Sequence, residues 1–148
     1  MNVNGEVVVK APKEDVWRAL NNPAALQKAT PGCKSLIEIE PDCYKAEISV
    51  GIAAVRGDYE STIKILDKSE PDRYRLVMSA NSPVGFVEGD ATVELVHEEM
   101  KTYIKYNGVA QVGGKVAGVG QRMLSGIAKL IVKEFFKKIA RETTTQFH

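Results

Sequence analysis

The chain has 148 residues and a formal net charge of +1, with 44% hydrophobic and 26% charged residues, a balance typical of a single globular domain. This near-neutral charge excludes a protein-wide electrostatic surface for nucleic acid. No run approaches the roughly 18 apolar residues of a membrane span, and the amino terminus lacks the basic and apolar segments of a secretory signal. We therefore expect one cytoplasmic domain over residues 1–148, in a reducing setting that suits a chain with two cysteines.

Residues 2–32 predict one strand and two short helices. The strand covers residues 2–10 and has three valines at its centre. A helix follows from Pro12, because proline and acidic residues both favour the first turn of a helix. Pro23 opens the second helix, "PAALQKA", and the turn Thr30–Pro31–Gly32 ends it.

Residues 33–112 alternate between apolar and polar side chains, which predicts about six antiparallel strands with one buried and one exposed face. Turns are expected at Pro41–Asp42 and Pro71–Asp72. From about Lys115 to about Arg141 the apolar period becomes 3.6, which predicts a long helix, and the final "ETTTQFH" is expected to fray. Segregated strands and helices indicate an α+β fold in which the long helix covers a single sheet.

The long helix has two predicted faces. The apolar face comprises Val116, Val119, Gly120, Met123, Leu124, Ile127, Leu130 and Ile131. The opposite face is basic and comprises Lys115, Arg122, Lys129, Lys133 and Lys137. A basic face of this kind is either simply solvated or contacts an acidic protein or an anionic membrane.

Small residues are frequent where the sheet and the helix are expected to face each other. On the predicted inner face of the sheet they are Ala46, Ala80, Gly89, Ala91, Gly108 and Ala110. The helix region begins "GGKVAGVGQRM", although glycine inside a helix costs up to about 1 kcal/mol relative to alanine. Two explanations stay open, because small residues either let the helix and sheet approach closely or leave space for a ligand.

No catalytic or metal-binding motif is present in the sequence. A zinc site needs about four ligands, and the only cysteines and histidines are Cys33, Cys43, His97 and His148. His97 is expected at a solvated strand end, and a disulfide between Cys33 and Cys43 is not expected across the hairpin. Cys33 also lacks the base that would activate a thiol nucleophile, since only Lys34 adjoins it.

The chain resembles the carbon monoxide dehydrogenase CoxG family, within the START-like superfamily of helix-grip proteins. The resemblance covers almost the whole chain and rests on an ordered set of short motifs. These are Val16–Trp17, the stretch "ALNNPAALQKATPGCKSL", Tyr44, Gly57, Tyr74, Leu76, "GFVEGDATVEL", Thr102, Tyr106, "AQVGGKVAGVGQRM" and Phe135–Phe136. Cys33 belongs to one of these motifs, and no reactivity is implied for it.

The resemblance implies a curved antiparallel sheet of about seven strands around the long helix, with two short helices after the first strand and an apolar cavity inside. It also implies a non-enzymatic accessory protein that binds a quinone or similar lipid and assists a molybdenum-containing carbon monoxide dehydrogenase at the membrane. The molybdenum, flavin and iron–sulfur centres would belong to the other polypeptides of that enzyme. Many relatives carry a long carboxyl-terminal tail for membrane attachment, and because this sequence stops at His148 we expect a carrier or assembly factor with at most peripheral membrane contact.

We predict that a quinone or isoprenoid lipid lies between the sheet and the helix. Face parity gives seven candidate contacts, which are Met78, Ala80, Ala91, Tyr106, Gly120, Met123 and Ile127. Tyr106 could donate a hydrogen bond to a carbonyl of the ligand. Two alternatives stay open, a polyketide cyclase- or dehydratase-like enzyme with polar groups in the same cavity, and a docking module without a ligand. The inward polar candidates for the enzyme are Tyr44, Ser61, Tyr74 and Tyr106.

Overall fold

The computed structural model describes residues 1–145 and contains seven strands and three α-helices in that range. The strands are β1 (Asn2–Val9), β2 (Cys33–Glu40), β3 (Cys43–Val50), β4 (Gly57–Ser69), β5 (Arg73–Ser82), β6 (Gly85–Glu98) and β7 (Lys101–Gly113). The helices are α1 (Lys13–Leu20), α2 (Pro23–Ala29) and α3 (Gln121–Thr145), with short 3₁₀ turns at Ala53–Val55 and Lys115–Val119.

All seven strands form one antiparallel sheet in the order β1-β7-β6-β5-β4-β3-β2. Strands β2 to β7 pair with their neighbours in sequence, and β1 returns to the far edge beside β7. The predicted turns at Pro41–Asp42 and Pro71–Asp72 lie between β2 and β3 and between β4 and β5. The sheet curves around α3, so the predicted α+β helix-grip architecture is confirmed.

The long helix begins later and ends later than the sequence predicts. Residues 115–119 form a 3₁₀ turn, and Gly120 follows it with a φ of +100°, a backbone angle that side-chain-bearing residues rarely adopt. This angle interrupts the helical path, so α3 starts at Gln121 and not at Lys115. It then continues to Thr145, past the expected end at Arg141, while the fraying predicted for residues 146–148 lies outside the described residues.

Local sequence explains why the chain reverses between α1 and α2. The Asn22 side chain accepts hydrogen bonds from the backbone N–H groups of Ala24 at 2.9 Å and Ala25 at 3.3 Å. Pro23 occupies the first turn of α2, where its missing N–H costs nothing. α2 then packs on α3 and β2 and closes one end of the fold.

The packed core occupies the end of the sheet that α1, α2 and the carboxyl-terminal half of α3 cover. Trp17 of α1 meets Tyr74 of β5 edge to face, with ring centroids 5.5 Å apart. Other members of this cluster are Val9, Val16, Leu20, Leu26, Leu36, Tyr44, Ile65, Val93, Leu95, Ile104, Phe136 and Ile139. The Thr143 hydroxyl, which is also buried, donates to the Ile139 carbonyl at 2.8 Å.

Candidate functional site

The inner face of the sheet brings three of the predicted contact residues together. Met78 pairs with Ile63 and Gly89 on the neighbouring strands, and Ala80 pairs with Ser61 and Val87. Ala91 lies between Leu76 and Gly108. Because side chains alternate between the two faces of a strand, all of these residues share the inner face. Ile63, Leu76 and Val87 were not among the predicted contacts, although the same alternation assigns them to that face.

Burial divides this inner face into two regions. Tyr74, Val93, Leu95 and Ile104 are at most 4% exposed and belong to the packed core. Farther along the same strands the apolar residues are only half-buried. These are Ile48, Ile63, Leu76, Met78, Val87 and Ala91. An apolar surface that the fold leaves half-covered is the property expected of a binding groove.

The helical side of the groove differs from the prediction. In α3 the buried residues Phe136, Ile139 and Thr143 define the face that meets the core. Because residues four positions apart lie on the same side of a helix, Val132 and Ala128 continue this face towards the amino terminus of α3.

The predicted contacts Met123 and Gly120 are instead exposed, with Met123 at 54%, and Leu130 of the predicted apolar face is also 54% exposed. The predicted contact Ile127 is half-buried, as are Leu124 and Ile131. The prediction was wrong about the buried face because this half of α3 carries apolar residues around much of its circumference, so the pattern could not select one side.

The glycines divide the two explanations that the sequence left open. A Cβ on Gly108 would lie 2.7 Å from the Cβ of Ala91, so this glycine allows two strands to pack closely. In contrast, a Cβ on Gly118, Gly120 or Gly126 would have nothing within 4 Å. The small residues of the sheet therefore serve packing in part, whereas the glycines at the start of the helical region border open space.

Tyr106 lies at the boundary between the packed core and the groove. Its ring stacks on Phe136, with centroids 4.8 Å apart and an interplanar angle of 18°. On the sheet side, a Cβ on Gly5 would lie 2.5 Å from the Tyr106 Cζ atom, so the ring rests directly on the glycine backbone of β1. No hydrogen bond of the hydroxyl is found within residues 1–145, so the prediction that it binds a ligand carbonyl stays open.

The inward tyrosines keep their protons at neutral pH. Burial raises the pKa of Tyr74 and Tyr106, and burial together with the nearby Glu38 raises the pKa of Tyr44 to about 12. Ser61 is buried and donates its hydroxyl to the Ser79 carbonyl at 2.8 Å. Neutral hydroxyls of this kind can donate hydrogen bonds to a ligand, but they are not poised as general bases.

The two cysteines and His97 have local explanations. Cys33 and Cys43 are free thiols at opposite ends of the β2–β3 hairpin, where they pair with Ile48 and Glu40 respectively. Burial raises the pKa of Cys33, which leaves its thiol protonated and poorly nucleophilic at neutral pH. His97 is exposed near the β6–β7 turn, and within the described range no three histidine, cysteine or acidic side chains are grouped to hold a metal ion.

Two clefts lie outside the groove and contain none of the seven predicted contacts. One, of about 690 Å³, lies between α1 and the β4–β5 turn. Its lining residues are Glu14, Trp17, Arg18, Asn21, Asn22, Pro23, Lys68, Glu70 and Pro71. The other, of about 490 Å³, lies beside α2 and is lined by Ala24, Gln27, Lys28, Thr30, Gly32, Cys33 and Lys138. Both are lined largely by polar and charged residues and do not suit a hydrophobic guest.

The fold defines the class of protein. Over 98% of both chains, the structure superimposes on a START superfamily protein from Mycobacterium smegmatis with a TM-score of 0.77 at 11% identity, which establishes a START-like fold. A protein from Chromobacterium violaceum gives a TM-score of 0.76 at 18% identity over 96% of both chains. Within this class, the chain belongs to the carbon monoxide dehydrogenase CoxG family, which it matches over residues 5–144.

A solved structure at higher identity supports the same assignment. A conserved protein from Geobacillus kaustophilus is 42% identical, with a TM-score of 0.95 over 98% of this chain and 96% of its own. No curated protein matches the sequence. Among the helices in residues 1–145, none combines the length and the apolar character needed to cross a bilayer. Family and fold together support a ligand-binding or accessory role.

Proposed function

We propose that this protein is a non-enzymatic accessory protein that binds a hydrophobic small molecule, a quinone or an isoprenoid lipid, between the sheet and the amino-terminal half of α3. The observation that carries the proposal is the half-buried apolar inner face around Leu76, Met78 and Ala91, beyond the packed core. An apolar ligand covering this face would gain about 25 cal/mol for each Å² of apolar surface removed from water. The inward hydroxyls are neutral, which fits binding better than acid–base catalysis.

The partner that we propose is a molybdenum-containing carbon monoxide dehydrogenase, as the family name suggests. The basic residues Arg122, Lys129 and Lys133 are exposed on α3, and none takes part in an ion pair within the described part of the chain. Unpaired cations of this kind suit an acidic protein surface. We also propose a cytoplasmic location, with peripheral contact to the inner face of the membrane when the protein exchanges ligand.

Native mass spectrometry tests the ligand proposal. The full chain, purified gently and then mixed with a short-chain benzoquinone or an isoprenoid alcohol, should carry one bound molecule. Ala91→Phe places a ring in the groove and should remove the bound mass. Glu88→Phe adds the same ring on the exposed outer face of β6 and should leave binding intact. Failure of the wild-type chain to retain either ligand would refute the binding proposal.

Co-purification tests the partner proposal. The wild-type chain should associate with a carbon monoxide dehydrogenase from the same organism, and the Lys129→Glu/Lys133→Glu double variant should lose most of this association because its charge is reversed. Lys45→Glu/Lys105→Glu is the matched control, since it reverses two exposed charges on the sheet. Equal loss in both double variants would argue against a docking surface on α3.

A further inference from the structure

The interior of the molecule changes character at one layer of side chains. On β7, Ile104 is completely buried, whereas Tyr106 is half-buried and Ala110 lies in the half-covered region. On α3, Ile139 is completely buried and Phe136 is 5% exposed, whereas Val132 and Ala128 are half-buried. The change therefore occurs at the same level on both walls, at Tyr106 and Phe136.

These two residues are in contact across the interior. Their rings stack, and Phe136 also meets Phe135 edge to face with centroids 5.0 Å apart. Below the stack, Gly5 provides a flat backbone surface on which no side chain larger than hydrogen fits while the Tyr106 ring is in place. A backbone layer, a tyrosine ring and a phenylalanine ring thus fill the distance from the sheet to the helix near the β1 edge.

We infer that the stack of Gly5, Tyr106 and Phe136, which we call the aromatic floor, closes the inner end of the groove and limits the length of the apolar ligand. This inference rests on the proposed function and specifies which ligands the site accepts. Beyond the aromatic floor the residues belong to the packed core, which has no room for additional ligand atoms. A linear apolar chain would gain affinity with each methylene until it reached the rings, and longer chains would have to leave atoms in solvent.

A series of benzoquinones with saturated alkyl chains of increasing length tests this inference, with affinity measured by native mass spectrometry on the full chain. In the wild type, affinity should rise by up to about fourfold per methylene and then stop rising at a definite length. Tyr106→Ala should move this limit to longer chains. Tyr106→Leu is a second variant that opens the floor with less loss of packing, and it should move the limit in the same direction.

Tyr106→Phe is the matched control, because it keeps the ring and removes only the hydroxyl. It should keep the wild-type length limit, which a general loss of stability would not reproduce. An unchanged limit in Tyr106→Ala and Tyr106→Leu would overturn the aromatic floor while leaving the binding proposal intact. Affinity that rises without limit in the wild type would also overturn it. If no member of the series binds, the proposed function fails and the inference fails with it.

Discussion

The buried Thr102 hydroxyl donates a hydrogen bond to the backbone carbonyl of Ala11 at 2.7 Å, and this bond joins β7 to the loop that follows β1. Thr102 is completely buried and pairs with Val9 in the sheet. The bond therefore fixes the point at which the chain leaves the sheet edge and enters α1. A buried carbonyl at such a point has few alternative donors, since water has no access to it.

Thr102→Val should destabilise the fold because it leaves the Ala11 carbonyl without its donor. We expect a loss of about 1–3 kcal/mol in the free energy of unfolding, measured by urea denaturation. Thr92→Val makes the same replacement at a half-buried position that faces away from the core. The control should change stability by less than about 0.5 kcal/mol, and similar losses in both variants would contradict the role of the buried bond.

Gly5→Ala should also destabilise the fold, since the added methyl group overlaps the Tyr106 ring. Forcing a methyl group into a packed site costs about 1–3 kcal/mol. Gly126→Ala is the matched control, because nothing lies within 4 Å of its added Cβ. In the exposed helix it should stabilise the protein by up to about 1 kcal/mol. Thermal or urea unfolding of the two variants distinguishes these opposite signs, and a neutral Gly5→Ala would show that the ring does not rest on the glycine.

Asn22→Ala should remove the cap of α2 and lower the free energy of unfolding by about 1 kcal/mol. The reason is that the backbone N–H groups of Ala24 and Ala25 lose their shared acceptor. Asn22→Ser should retain most of the stability, since serine caps helices about as well as asparagine. Equal destabilisation by alanine and serine in urea denaturation would show that the Asn22 side chain acts in another way.

The buried Tyr44 predicts a loss of stability in alkaline solution. Its pKa is raised to about 12, whereas an unfolded tyrosine has a pKa of about 10. The folded state therefore holds this proton more tightly, and the associated stability is complete below about pH 10 and declines as the pH rises towards about 12. Phenolate absorbance should show a late-titrating tyrosine that is absent in Tyr44→Phe. A normal titration of Tyr44 would refute the proposed burial effect.

The strands and turns could be predicted from the sequence because each depends on local alternation and on Pro–Asp pairs. Met78, Ala80 and Ala91 were assigned to one face for the same reason, since parity along a strand survives small errors in its ends. The face of α3 could not be predicted in the same way. Its amino-terminal half is apolar on several sides, and the buried face includes Thr143, which a hydrophobicity pattern counts as polar. The stack of Tyr106 on Phe136 depends on pairing with Gly5, a contact between distant parts of the chain.

The position of β1 has a consequence for the order in which the chain can fold. Strands β2 to β7 can form as successive hairpins while the polypeptide is being made, but β1 pairs only with β7, so that the terminal ammonium group of Met1 meets the carbonyl of Ala110. This pairing must wait until most of the chain has been synthesised, and the wide sequence separation makes it slow to form. Until then the unpaired edge of β7 stays open to other chains, which makes the interval before β1 arrives the period of greatest risk of aggregation.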